Sequence, residues 1–253
     1  MDLGLRDRAC IVTGATRGIG LAVARTLCEE GARVLFVGRD AHELARVSAR
    51  CGGDYLVADV TDPEADELIV ATCREQLGRV DVLVNNAGTS FARPLEDLTD
   101  DDWQAQWELH VMGPMRLMRL AAPLMAERGW GRIVNVSSSA GKRPSQTNAA
   151  YSVTKAAQLS LSRVFAEAYA ERGVLVNAVA PGPVTTPVGL DVADARRGGG
   201  RSLELAAGAG APLGRFGTPD EIASVVVFLC SERASDVAGA AWSVDGGTVA
   251  SIV

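Results

Sequence analysis

Thr13-Gly14-Ala15-Thr16-Arg17-Gly18-Ile19-Gly20 is the stretch that decides the fold. It follows a short apolar run at 8–12 and opens a helical pattern at 19–30, so a strand passes through a glycine turn straight into a helix. Glycines permit the tight turn and the close approach of a ligand to backbone. The helix N-terminus beyond them presents unpaired N–H groups, which suit a pyrophosphate. The spacing is Gly-x-x-x-Gly-x-Gly, so the generic Gly-x-Gly-x-x-Gly fingerprint does not cover it. A purely structural turn is the competing reading, and the strand–turn–helix setting weighs against it.

Outward from this turn the chain alternates. Residues 8–12, 33–37, 54–58, 80–85, 132–136, 175–180 and 241–244 are predicted strands; 19–30, 41–50, 64–77, 100–127, 150–172 and 220–231 are predicted helices. Thr99 and Asp100 can cap one helix, Pro219 suits the first turn of another, and Gly31, Gly78, Gly129 and Gly173 fit helix exits. Such alternation predicts an α/β, Rossmann-type doubly wound parallel sheet of about seven strands with helices on both faces. The strands lack polar alternation, as a sheet covered on both sides requires. Without repeats or a linker, 1–253 is expected to be a single dinucleotide-binding and catalytic domain. One compositional break, 187–212, carries Arg196-Arg-Gly-Gly-Gly-Arg201 and Ala206-Ala-Gly-Ala-Gly-Ala211. It follows the end of a strand, where open α/β sheets bind ligands, and reads as a substrate lid rather than a plain surface loop.

Composition excludes several classes. The 253 residues carry 25 Lys+Arg against 31 Asp+Glu, a net charge of −6 with no basic block, so nucleic acid and anionic membranes lack electrostatic support. No apolar stretch reaches membrane-spanning length and the start lacks the shape of a signal peptide, which makes a cytoplasmic location the expectation. Cys10, Cys28, Cys51, Cys73 and Cys230 have no metal spacing and read as reduced, packed thiols. With His42 and His110 the only histidines, no metal site is expected.

The chemistry lies in Tyr151-Ser-Val-Thr-Lys155, with Ser138 thirteen residues before the tyrosine in Val136-Ser-Ser-Ser-Ala-Gly141. Positions i and i+4 share a helix face, so phenol and ammonium can point into one cleft. A nearby cation favours phenolate and would pull the tyrosine down from about 10 toward the range of a general acid/base, while a serine hydroxyl could polarise a carbonyl. Lysine occurs only at 142 and 155, although arginine is written freely elsewhere.

These segments resemble the short-chain dehydrogenase/reductases, in particular the compact subgroup that includes 3-oxoacyl-(acyl carrier protein) reductases. The likeness extends through Asp59-Val60, Asn85-Asn86-Ala87-Gly88, Pro181-Gly182 and Val244-Asp-Gly-Gly247, nearly end to end. It implies that Gly14, Thr16, Arg17, Gly18, Ile19 and Gly20 hold a dinucleotide and that Asp59 and Val60 take its adenine. Asn86, Ala87 and Gly88 would pass beneath the adenine ribose, and Pro181, Gly182, Val184 and Thr186 would meet the nicotinamide end. Ser138, Tyr151 and Lys155 would be catalytic. Asn85 is expected to serve at least half as a tie between strands.

Where relatives that prefer NAD(H) place an acid, this chain has Gly38 followed by Arg39. Arg39 and Arg17 favour NADP(H) over NAD(H), with Asp40 the residue that a one-position shift would bring into play. His110 stands where the family pattern has asparagine, in Glu108-Leu-His-Val-Met-Gly113. It is either a packed, tolerated substitution or a member of the proton relay that adds an ionisation between about pH 6 and 7.

The activity implied is hydride transfer between NADP(H) and a ketone or secondary alcohol, with a 3-oxoacyl thioester as substrate and acyl carrier protein as a candidate partner. The alternatives are a catabolic NAD(P)-dependent dehydrogenase of a sugar, polyol, steroid or cyclic alcohol, and a non-catalytic nucleotide-binding regulator. The resemblance also implies a homotetramer built through 100–127, 150–172 and the segment around Trp242.

Overall fold

The computed structural model describes residues 2–90, 92–186 and 211–250. Of the expected lid at 187–212, residues 187–210 lie outside the described residues. Seven strands form one sheet: β1 (Ala9–Thr13), β2 (Arg33–Gly38), β3 (Asp54–Val57), β4 (Val82–Asn85), β5 (Gly131–Val136), β6 (Val174–Pro181) and β7 (Ala241–Val244). Their order is β3-β2-β1-β4-β5-β6-β7, and every neighbouring pair is parallel. Between them run α1 (Gly18–Glu29), α2 (Ala41–Cys51), α3 (Ala65–Leu77), α4 (Asp100–Trp107), α5 (Gly113–Ala126), α6 (Ala149–Tyr169) and α7 (Pro219–Cys230).

The apolar strands explain themselves through the two faces they cover. Cys10, Val12, Val34 and Phe36 point into one core with Leu27 of α1, Leu44 of α2 and Val226 of α7. Their neighbours Ile11, Leu35 and Val37 point into the other, with Ile69 of α3 and Leu117 and Met118 of α5. Alternate residues therefore face opposite cores and all are apolar, which is why period-two polarity is missing.

Helix ends follow local chemistry. Thr99 caps α4 in a reciprocal box with Asp102, Thr218 does the same for α7 with Glu221, and Pro219 occupies the first turn of α7. Gly31, Gly78, Gly129 and Gly173 all adopt left-handed φ at helix exits.

The expected helix over 100–127 is not continuous. A π-turn, Glu108–Met112, separates α4 from α5, with the Gly113 N–H bonding back to Glu108 O. Pro114 supplies the cause: it has no N–H for the carbonyl of residue 110, and its ring would collide with that carbonyl in a regular helix. The widened turn carries His110 into the interior.

Candidate active site

All the residues expected to act gather at the carboxyl edge of the sheet, around the junction of β1 and β4, where the strand order reverses direction. Thr13 ends β1 and clasps the loop after β4. Its Oγ1 accepts from the N–H groups of Asn86 and Ala87, each at 3.0 Å, while Asn86 Nδ2 donates to Thr13 O at 3.0 Å and Gly14 O at 3.2 Å.

Each glycine of the turn has its own reason. Gly14 and Gly18 hold φ of 64° and 57°. A Cβ on Gly14 would come within 2.9 Å of Ala87 Cα, one on Gly18 within 3.1 Å of Thr186 Cγ2, and one on Gly20 within 2.3 Å of both Asn86 Nδ2 and Gly14 O. Helix α1 then starts from an extended Arg17 with no side-chain cap and no acidic residue in its first turn. Its first N–H groups are donors aimed into a cradle that a side chain would fill, which fits a pyrophosphate. Thr16 lies beside Gly38, and Ile19 packs partly against the core.

At the β2–β3 end a cleft of about 610 Å³ is lined by Arg39, Val57, Ala58, Asp59, Asp62 and Leu68, among others. Arg39 reaches outward and its guanidinium lies 3.4 Å from the Asp59 carboxylate. Burial works to raise the Asp59 carboxyl, but the Thr61 N–H and hydroxyl, together with Arg39, hold it below its ordinary value. Asp40 accepts from the Glu43 N–H at 3.0 Å as the N-cap of α2, so its carboxylate is engaged in the helix rather than offered to a ribose. Val60 is buried beside the π-turn; a Cβ on Gly113 would meet Val60 O at 2.7 Å. On the far side, Pro181 ends β6, Gly182 N–H bonds Val244 O at 3.1 Å, Val184 is buried, and Thr186 faces Gly18.

The reaction centre is assembled by β5 and α6. Ser138, just past the end of β5, accepts from the Ala140 N–H at 3.1 Å and holds its hydroxyl near enough to the Tyr151 phenol to favour the phenolate. Its neighbour Ser137 is buried and donates to Lys155 O at 2.8 Å, so geometry separates the middle serine from its flank. Lys155 departs from expectation. Its Nζ donates to Val136 O at 2.8 Å and Gln158 Oε1 at 3.1 Å, and lies 5.8 Å from the centroid of the Tyr151 ring. Burial pushes Tyr151 above its ordinary value, partly offset by the Ser138 hydroxyl. The anticipated lowering by lysine is absent because the amine is turned toward the β5 carbonyl. Burial also brings Lys155 down from 10.5 to about 7.

His110 is fully buried and both ring nitrogens are engaged. Nδ1 lies 3.0 Å from Thr154 Oγ1, and Nε2 accepts from the Thr89 N–H at 3.3 Å. Thr154 Oγ1 gives its single proton to Tyr151 O at 3.0 Å, so Nδ1 must be the donor. The imidazole packs edge-on against Tyr151, with ring centroids 5.3 Å apart. Burial first and Lys155 second hold it well below 6.5. Held in one tautomer and on the neutral side, it favours the packed, tolerated substitution over the reading that adds an ionisation between pH 6 and 7. Gly88 lies against this pair: a Cβ there would meet His110 Nε2 at 3.3 Å and Lys155 Nζ at 3.6 Å.

The structure adds Thr13, Thr89, Thr154 and Gln158 to the cluster. Gln158 carried a signal in the sequence, a polar residue one turn beyond Lys155 in an otherwise small and apolar stretch. Asn85 donates to Asn135 Oδ1 at 2.8 Å across β4 and β5, the strand tie that was expected. Among the described residues no cluster of His, Cys, Asp and Glu could hold a metal, and no helix is long and apolar enough to cross a membrane.

A Rossmann-type sheet with a Ser–Tyr–Lys cluster beside its dinucleotide cradle defines a nicotinamide-dependent oxidoreductase acting on CH–OH or C=O. The family model described as Enoyl-(Acyl carrier protein) reductase matches residues 14–249. The chain belongs to the short-chain dehydrogenase/reductase family. It is 34% identical to the D-beta-hydroxybutyrate dehydrogenase of Cupriavidus necator, over 97% of this chain and 99% of that protein. It is also 34% identical to the 3-oxoacyl-[acyl-carrier-protein] reductase FabG of Thermotoga maritima, with the same coverage. Among solved structures, the L-sorbose reductase of Gluconobacter frateurii, complexed with NADPH and L-sorbose, superimposes with a TM-score of 0.93 at 35% identity, covering all of both chains.

Proposed function

We propose that this chain reduces a ketone with NADPH and that its substrate is a 3-oxoacyl thioester. The observation that carries the reaction is the partly buried Tyr151, its phenol kept protonated at neutral pH and set near the Ser138 hydroxyl. A protonated phenol beside a second hydroxyl carries the proton that reduction must deliver to the carbonyl oxygen.

When bound, NADPH supplies the hydride that adds to the carbonyl carbon. Gly14, Gly18, Gly20 and the N-terminus of α1 would hold the pyrophosphate, with Thr16 and Ile19 flanking it. Asp59 and Val60 would meet the adenine, Asn86, Ala87 and Gly88 its ribose, and Pro181, Gly182, Val184 and Thr186 the nicotinamide end. Arg17 and Arg39, with Asp40 engaged in capping, favour a 2′-phosphate. As negative charge develops on the carbonyl oxygen, Tyr151 gives it a proton and the Ser138 hydroxyl donates a hydrogen bond to the same atom. Lys155, with its amine beside Gly88, would restore the proton to Tyr151 and anchor the nicotinamide ribose. His110 holds the Gly88–Thr89 backbone against α6 through Thr154.

The likeness to the Thermotoga reductase supports the thioester. The similarity to the sorbose reductase favours a second substrate class, a ketose. Acyl carrier protein is the partner proposed for the first class. Exposed Val153 and Val164 on α6, Trp107 on α4 and Trp242 on edge strand β7 support a homotetramer, and the absence of membrane-spanning helices among the described residues is compatible with a cytoplasmic location.

The test follows loss of NADPH absorbance with a short 3-oxoacyl thioester and, in parallel, a ketose, with NADH as the second cofactor and Tyr151→Phe as control. Thioester-dependent oxidation of NADPH that disappears in Tyr151→Phe is the expected result. Turnover of the ketose alone would replace the substrate and keep the chemistry; full activity of Tyr151→Phe would overturn both.

A further inference from the structure

We propose that Gln158 is a positioning residue for Lys155: its amide oxygen, together with the Val136 carbonyl, fixes the amino group beside Gly88. This rests on the catalytic reading of Lys155 given above.

Both side chains are buried, Gln158 at 0% and Lys155 at 3% exposure. The orientation of the amide is set by its partner, because a flipped glutamine would place NH2 against an amine that donates. That orientation leaves Gln158 Nε2 without a hydrogen-bond partner among the described residues. A buried, unpaired amide donor is a standing cost that leucine at this position would not carry. The cost is coherent if the oxygen is what matters.

The backbone beneath it is also tied down. Ser162 Oγ donates to Gln158 O at 2.8 Å, Asn135 Nδ2 donates to Ser162 Oγ at 2.8 Å, and Asn85 links to Asn135. The turn of α6 that bears Gln158 is thereby referenced to β4 and β5, the strands whose ends carry Gly88 and Ser138. Two of the lysine's donor directions are spent on Val136 and Gln158, so the remaining one is fixed. Among the described residues, the titratable groups that face Lys155 are His110 on the π-turn and Tyr151 on its own helix. His110 is neutral, so acceptor bonds from Val136 and Gln158 are what favour the ammonium against burial.

Lys142 and Lys155 are the only lysines, so 13Cε-lysine NMR reads Lys155 directly, with Lys142→Arg assigning the other signal. In wild type the Lys155 signal is expected to titrate near pH 7. Removing the acceptor in Gln158→Leu is expected to lower that midpoint by about one pH unit, the scale of one hydrogen bond to a charged group. Gln158→Glu, which keeps an acceptor and adds charge, raises it. The pH–rate profile of NADPH oxidation should move in the same two directions, with kcat falling about tenfold in Gln158→Leu at neutral pH and the melting temperature not falling. An unmoved Lys155 midpoint in both variants overturns the inference. Lys155→Met separates it from the reading it rests on: if that variant still oxidises NADPH, the catalytic role of lysine fails whatever the titration shows.

Discussion

Replacing Lys155 by methionine should change how stability depends on pH, by an amount that follows from its burial. An unfolded lysine titrates near 10.5 and the buried one near 7. Between these values the unfolded chain binds more protons than the native one, so stability rises with pH across that window. The depressed value costs the native state about 4 kcal/mol at pH 7 and about 2 kcal/mol at pH 9. Lys155→Met removes this linkage. It also leaves the Val136 carbonyl and Gln158 Oε1 unpaired, which offsets the gain by about 1–3 kcal/mol for each group. The offset does not vary with pH, whereas the lysine contribution does. Urea denaturation of both proteins at pH 7 and pH 9 should therefore show wild type gaining about 2 kcal/mol on the variant as pH rises. In a thermal melt this is a relative shift of about 5 °C. A difference that stays constant between the two pH values would refute the buried amine.

Gly20→Ala places a Cβ 2.3 Å from Gly14 O and Asn86 Nδ2, so it should lower stability by at least about 1–3 kcal/mol and weaken NADPH binding, read by nucleotide fluorescence titration. Arg39→Ala should reduce the preference for NADPH over NADH by roughly tenfold, the scale of one exposed guanidinium against a 2′-phosphate, measured as the ratio of the two kcat/KM values. His110 is held below its unfolded value, so it contributes a loss of stability as pH falls through and below about 6.5; His110→Asn should flatten the melting temperature between pH 5 and 7. The same variant should scale the rate without adding or removing a limb between pH 6 and 8.

The sheet was legible because its central strands are buried and mostly apolar on both faces and the turns at the carboxyl edge carry glycine, asparagine or proline. The order of the strands came from the structure, the sequence having given only a parallel, doubly wound sheet. Ser138, Tyr151 and Lys155 were legible as a spacing, but the direction in which the lysine points was not. That direction is set by the Val136 carbonyl on β5 and the Gln158 amide, and no sequence separation encodes which acceptor an amine will choose. The break at Glu108–Met112 had a local signal in Pro114 that a long amphipathic pattern concealed. The state of His110 depended on contacts from Thr89 and Thr154, which come from two other segments of the chain.

The clasp between Thr13 and Asn86 joins residues 73 positions apart, while the other strand neighbours are linked by a single crossover. Closing that loop carries an entropic cost that only the contacts of the joined form repay. The blocks β3-β2-β1 and β4-β5-β6-β7 can each pair locally before they meet. The cradle at Gly14 exists only once they have met, because Ala87 and Asn86 form one of its walls. A nucleotide that binds the joined form holds that seam closed by mass action. Native-state hydrogen exchange should accordingly show protection on NADPH addition concentrated at β1 and β4, the seam at which the two blocks would otherwise part.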